Sequence, residues 1–285
     1  MVVVNVSPAG FPMAPSQDVW NALTAAERAR VVDALPPEVT YDEMAMPEGD
    51  RHLYAKIRAL DALRGYFARQ ERRIYLGSEL PIYYPAEPRF APDLLAVLDV
   101  ADHRDHLRDK WVVSAEGKGL DWVMEVHVGG DRKKDAERNV IRYARLGISE
   151  YFLYDRSRNQ LLAYRLTFPD AKVYTPIVCQ RGRFASHVLG LDVEVESDRL
   201  RFFAGNTMLL ESEELIVRLE QMLEEVQARA DDSQRRAEVE ARRREEETRR
   251  REEETRRREE ETRRREETEL EVARLREELA RLKKK

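Results

Sequence analysis

Cysteine occurs once in the 285 residues, at Cys179, so the chain can build neither an internal disulfide nor a zinc ribbon. No apolar run approaches the roughly 18 residues that cross a bilayer. The first fifteen residues hold an apolar trio, Val2 to Val4, without the basic start or the apolar stretch of a secretory signal. The expected compartment is therefore the cytoplasm, with no membrane partner. Glycine-rich phosphate loops are missing, and no Ser/His/Asp or Cys/His spacing stands out. An excess of one charge is missing too. Lys and Arg number 50 against 55 Asp and Glu, and the net charge of −5 argues against coating nucleic acid by bulk charge.

What the chain has in abundance is charge of both signs, 37% of residues against a usual share of roughly 25%. Residues 231–285 carry 20 Lys/Arg and 19 Asp/Glu, whereas the preceding 230 residues have an ordinary density. The protein reads as a globular body, large enough to bury a core without staples, followed by a polyampholyte tail.

Along the body, Pro8, Pro12 and Pro15 mark a frayed or lightly docked leader. Thr24-Ala-Ala-Glu27 is a capping box that opens a helix ending at Pro36-Pro37. A second helix is predicted from near Glu48 to about Arg72, with Leu53, Ile57, Leu60 and Phe67 at helical spacing. Short β-branched and aromatic runs then predict strands at 74–76, 80–84, 92–98 and 120–128. After Gly129-Gly130 the period returns to 3.6. Ala136, Val140, Tyr143 and Gly147 share a helical face, Asp131 can cap the start, and Gly147 can end it in a left-handed turn. Strands are predicted again at 151–154, 161–166 and 173–179. This order predicts a mixed α/β sheet with few helices.

From Arg242 the tail repeats Arg-Arg-Arg-Glu-Glu-Glu-Thr, and in a helix each Glu lies four residues before an Arg. Such pairs contribute about 0.2–0.5 kcal/mol each in isolation, so many of them can hold a long helix that has no core. The predicted helix has about 75 residues and a length of about 112 Å. Ile216, Leu219, Leu223 and Val226 lie at a/d spacing, as do Val272, Leu275, Leu279 and Leu282, and the two sets are offset by 56 residues, eight whole heptads. Arg244, Glu247, Arg251 and Glu254 fall on the same seam, where burial is costly unless the charges are paired. A weak homodimer through residues 212–285 and a solvated rod with no partner both remain open.

The chemistry is best sought among the acids. Metal-assisted phosphodiester hydrolysis needs carboxylates gathered from separate strands around a hard cation such as Mg²⁺. Pro92-Asp93 opens the apolar run Leu94 to Leu98, and Glu125 sits among Val123, Met124, Val126 and Val128, where an acid is expensive to bury without a partner or an ion. By composition alone Asp93 is a turn residue at a strand start, and Glu125 is the most unusual residue in the chain.

Pro92-Asp93, Glu125-Val126-His127, Asp135 and the segment from Tyr143 through Gly147 and Glu150 to Asp155 resemble the restriction-endonuclease-like (Uma2-like) family of the PD-(D/E)XK nuclease superfamily. The resemblance covers roughly Pro37 to Glu211. It implies a restriction-endonuclease-like core, a mixed central sheet flanked by helices, with Mg²⁺ or Mn²⁺ at the open edge of the sheet. By the same resemblance Asp93 and Glu125 are metal ligands, the Val126 carbonyl completes the protein side, and Glu48 stands where some members present an additional acid. The sequence departs from the family at two places. Asn139 occupies the position of a lysine four residues before Tyr143, and His127 replaces the lysine two residues after the glutamate. His127 could serve as a base, or Lys133 or Lys134 could reach in from the helix start.

Other candidates have plainer readings. Asp135 reads as an N-terminal helix acid and Tyr143 as a core residue. His103 and His106 with Asp102 and Asp105 read as a solvated loop, and Arg132, Lys133, Lys134, Arg138, Arg142 and Arg145 form a basic side that could meet phosphates or only water. The expectation is an N-terminal leader and helix at 1–36, a nuclease domain at 37–211 and a long charged helix at 212–285. The expected function is Mg²⁺-dependent hydrolysis of DNA with Asp93, Glu125, His127, Glu48 and Lys134 in the site. The alternative is a weakened nuclease fold that binds nucleic acid or protein and is dimerised by its tail.

Overall fold

A computed structural model describes residues 5–38, 49–100, 108–129 and 132–282. Glu48, Asp131 and the group Asp102, His103, Asp105 and His106 lie outside the described residues. The chain divides into two compact units, 1–215 and 216–285. No helix among the described residues is long and apolar enough to cross a membrane.

The first unit opens with a two-stranded ladder of Asn5–Val6 with Pro12–Met13. Helices α1 (Gln17–Ala22) and α2 (Ala25–Ala34) follow, and the Thr24–Glu27 capping box forms as the sequence predicts. Of the two readings of the leader, lightly docked is the one seen: Asn5–Val6 stay exposed, and Met13 and Ala14 bridge to Pro88 and Pro85. Ala14 is buried with Trp20, Val31, Leu35, Tyr83 and Val112, because the exposed alternative would leave that apolar cluster open to water.

Helix α3 (Gly49–Phe67) precedes a six-stranded mixed sheet. Its strands are β1 (Ile74–Gly77), β2 (Leu94–Leu98), β3 (Trp122–His127), β4 (Glu150–Asp155), β5 (Gln160–Arg165) and β6 (Thr175–Pro176), in the order β6-β5-β4-β3-β2-β1. Every pairing is antiparallel except β3 with β4. That parallel pair needs a crossover, supplied by a π-helical turn, Lys134–Arg138, and helix α4 (Asn139–Leu146), which ends at Gly147 with φ +79° as predicted. A second, antiparallel sheet of β7 (Arg183–Ser186), β8 (Leu191–Glu196), β9 (Arg199–Ala204) and β10 (Thr207–Met208) follows. Helix α5 (Ser212–Leu282) closes the chain.

The central strands are continuous apolar runs because both faces of the sheet are covered. One face meets Ala59, Ala62, Leu63 and Phe67 of α3 together with Leu191, Val193 and Phe202 of the second sheet. The other meets Tyr143, Ala144 and Ile148 with Ile82 and Trp111. Three local expectations change. Of the run 80–84 only Ile82–Tyr83 is a strand, paired parallel with Trp111–Val112, and of 173–179 only Thr175–Pro176, since Val173 and Val178 are exposed. The buried stripe of α3 is also rotated. Leu53 and Ile57 are exposed, and small Ala59 and Ala62, which allow close approach to the sheet, face inward with Lys56.

In α5, Glu240–Arg244, Glu247–Arg251, Glu254–Arg258 and Glu261–Arg265 pair in the predicted orientation. Arg249–Glu253, Arg256–Glu260 and Arg263–Glu267 pair in the reverse one. The helix spans 71 residues, about 106 Å.

Candidate active site

Strand register brings the two suspected acids together. Leu94 lies opposite Met124 in the antiparallel β2–β3 ladder, so the next rung sets Asp93 beside Glu125. The Asp93 N–H donates to Glu125 Oε2 at 3.3 Å, and the Val126 N–H donates to Asp93 Oδ2 at 2.7 Å. Glu125 Oε1 accepts the Tyr143 hydroxyl at 2.6 Å, from α4.

The two carboxyls are tuned in opposite directions. Burial pushes Glu125 well above the usual carboxylate range, and the charges of Asp93 and Asp135 push it further, outweighing Tyr143 and Lys134. Burial opposes ionisation of Asp93 as well, but His52, the Val126 N–H and Lys56 outweigh it and hold that carboxyl below its ordinary value. Tyr143 is driven far up by its own burial and by Glu125, so its hydroxyl stays a proton donor.

His52 and Lys56 come from α3 and were not anticipated. They stand one turn apart on a single face, with His52 Nε2 at 3.0 Å and Lys56 Nζ at 3.6 Å from Asp93 Oδ1. Lys56 is 5% exposed and also pairs with Glu79. Lys56, Ala59, Leu63 and Phe67 recur at helical spacing. A lysine in line with a small apolar stripe was the signal available.

On the far side, His127 is buried on the same face of β3 as Glu125. Its Nδ1 lies 3.2 Å from Asp135 Oδ2, and Asn139 Nδ2 donates to Asp135 Oδ1 at 3.2 Å. Asp135 sits in the π-helical turn, a distortion that often marks functional positions. Its carboxyl is raised, first by burial. Lys134 is exposed, yet its charge favours ionisation of both Asp135 and Glu125. The basic side is partly committed, with Arg132 on Asp155 and both Arg142 and Arg145 on Glu87.

Among the described residues no group of three or more His, Cys, Asp or Glu side chains forms a ready metal cluster. The donor chemistry nonetheless fits a hard divalent ion. Asp93 and Glu125 offer only oxygen, and the mutual repulsion of buried Glu125 with Asp93 and Asp135 is a deficit of positive charge. A carboxylate oxygen has two acceptor sites, so the hydrogen bonds described leave capacity for a cation.

Residues 41–199 match the model of a family described as "Uma2: Putative restriction endonuclease". No curated protein matches the chain. A solved structure described as "a putative nuclease belonging to DUF820 from Anabaena variabilis ATCC 29413" is similar at 13% identity and a TM-score of 0.40, over 51% of this chain and 76% of that one. The family model spans more than half of the residues and includes Asp93, Glu125, Asp135 and Tyr143, and on that match the chain belongs to the Uma2 family of restriction-endonuclease-like proteins.

Proposed function

We propose that this protein is a divalent-metal-dependent endonuclease that hydrolyses phosphodiester bonds of DNA. The observation that carries the reading is the rung pairing Asp93 with Glu125, where one acid is held ionised and its neighbour is starved of positive charge. Asp93, Glu125 and the Val126 carbonyl would hold Mg²⁺ or Mn²⁺. Such an ion supplies Lewis-acid stabilisation of charge that builds on the phosphodiester.

The chain's own residues divide the remaining work. His52 and Lys56 keep Asp93 ionised from the α3 side. Lys56 also brings a permanent charge into a site that has Asn139 where the family places a lysine. Tyr143 fixes the Glu125 carboxylate through its hydroxyl. Asp135 orients His127 through Nδ1, so that Nε2 is the ring nitrogen turned away from it and suited to accept a proton from water. Lys134, exposed at the π-helical turn, is placed to meet a phosphate, and Glu48 is proposed as an auxiliary acid from the family resemblance.

Supercoiled plasmid incubated with the full chain and Mg²⁺ or Mn²⁺ tests this. Nicking that Asp93→Ala and Glu125→Ala both abolish supports the enzyme. Absence of metal-dependent nicking by the wild type would refute it. A binding module is the second reading, favoured by the use of Asn139 as an uncharged donor to Asp135; DNA retention without nicking would establish it.

A further inference from the structure

We infer that α5 pairs with a second copy of itself in antiparallel orientation, with Glu247 of each chain facing Arg251 of the other. This inference is independent of the nuclease reading.

The seam of α5 has a sign pattern that selects orientation. Its a positions in the repeats are Arg244, Arg251, Arg258 and Arg265, and its d positions are Glu240, Glu247, Glu254 and Glu261. An in-register parallel pair sets a against a and d against d. Arg251 would then meet Arg251 and Glu247 would meet Glu247, one like-charge layer after another. Reversing one helix sets every a against a d, so that Arg layers meet Glu layers along the centre of the repeats instead of like charges.

A single antiparallel alignment satisfies the ends as well as the middle. With Glu247 opposite Arg251, Arg244 falls opposite Glu254, and Glu240 opposite Arg258. The same alignment puts Val226 against Val272 and Leu223 against Leu275, while Leu219 and Ile216 meet the register positions of Leu279 and Leu282. Sliding by one heptad in one direction sets Val226 against Arg265 and Leu223 against Thr268, and in the other sets Val272 against Ser233 and Leu275 against Ala230. The pairing is isologous, so each contact occurs twice about a two-fold axis near Arg249.

The helix leaves these side chains available. Ile216, Leu219, Leu223 and Val226 are each more than half exposed, and Val272 and Leu275 are 41% and 54% exposed. Within one helix Glu247 already bonds Arg251 at 2.7 Å, and Glu254 bonds Arg258 at 2.6 Å. Antiparallel pairing converts such two-charge pairs into four-charge clusters, a form in which ion pairs contribute where isolated surface pairs do not. Between the apolar and charged layers, Ala230, Ser233 and Ala237 supply small side chains that admit Thr268 and the long stems of Arg265 and Glu261.

Disulfide trapping in the full chain discriminates the occupants of this face. In a Cys179→Ser background, Leu223→Cys and Leu275→Cys are prepared separately, oxidised alone and mixed, and run on non-reducing gels. The expected result is a cross-linked dimer from the mixture and none from either variant alone, with the wild type sedimenting at twice its monomer mass. Self-cross-linking of Leu223→Cys would show a parallel pair. A doubled mass without cross-linking in the mixture would show another register, and a monomer at micromolar concentration would show no pairing. Each of these three outcomes overturns the inference.

Discussion

Asp93 and Glu125 clasp each other through the backbone: the Asp93 N–H reaches the Glu125 carboxylate, and the Asp93 carboxylate takes the N–H of Val126. The clasp holds two acids side by side that would otherwise separate, and it makes the chemistry and the stability of this rung antagonistic.

Glu125→Gln keeps one oxygen as acceptor for Tyr143, gives up the longer bond from the Asp93 N–H, and removes the repulsion with Asp93 and Asp135. We expect the metal-free variant to melt roughly 2–4 °C higher, equivalent to about 1 kcal/mol for a body of this size, and to lose activity by at least about a hundredfold. Calorimetry paired with plasmid nicking checks both signs.

The pH dependence follows from the same residue. A folded-state value above the ordinary 4.5 means that the stability contributed by protonated Glu125 is present below 4.5 and lost as pH rises through the raised value. Asp93 behaves oppositely, contributing stability above its ordinary 3.8 that is lost as pH falls towards its lowered value. The metal-free protein should therefore melt higher at mildly acidic than at alkaline pH, and Glu125→Gln should flatten that slope. An unchanged slope in the variant would assign the effect to other groups.

Lys56→Met removes a cation from Asp93 without enlarging the side chain. The variant should turn over at least about tenfold more slowly while binding Mn²⁺ more tightly, as read by titration calorimetry, because Asp93 loses a competing partner. Adding Asn139→Lys should restore part of the rate by placing an ammonium near Asp135. Weaker Mn²⁺ binding in Lys56→Met would mark Lys56 as packing alone.

Glu150 joins the two sheets. Its buried carboxylate accepts from Ser186 Oγ and the His187 N–H and pairs with Arg165 at 3.1 Å. Glu150→Ala strands these donors and should cost about 3–5 kcal/mol, measured by urea unfolding.

Asp93 and Glu125 could be found in the sequence because each interrupts or borders an apolar run, and polar residues in such runs need a reason. Lys56 and His52 escaped because apolar periodicity selects Leu53 and Ile57, while the inward stripe is carried by alanines and a lysine whose charge is met only in three dimensions. The second sheet was available in the alternation Leu191, Val193, Val195 against Asp192, Glu194 and Glu196, a pattern of one covered and one wet face. The π-helical turn had no signal, since its residues, Lys134 to Arg138, carry no Gly, Pro or other mark that sets them apart from an ordinary helix start.

That crossover governs when β3, which carries Glu125, is covered on both edges during synthesis. Strand β3 is flanked on its far side by β4, which emerges from the ribosome after α4, and non-local pairings of this kind are the slow step of assembly. A nascent chain that stops before Glu150 lacks the strand that covers β3, so the proposed hydrolytic site would stay silent until its sheet has closed.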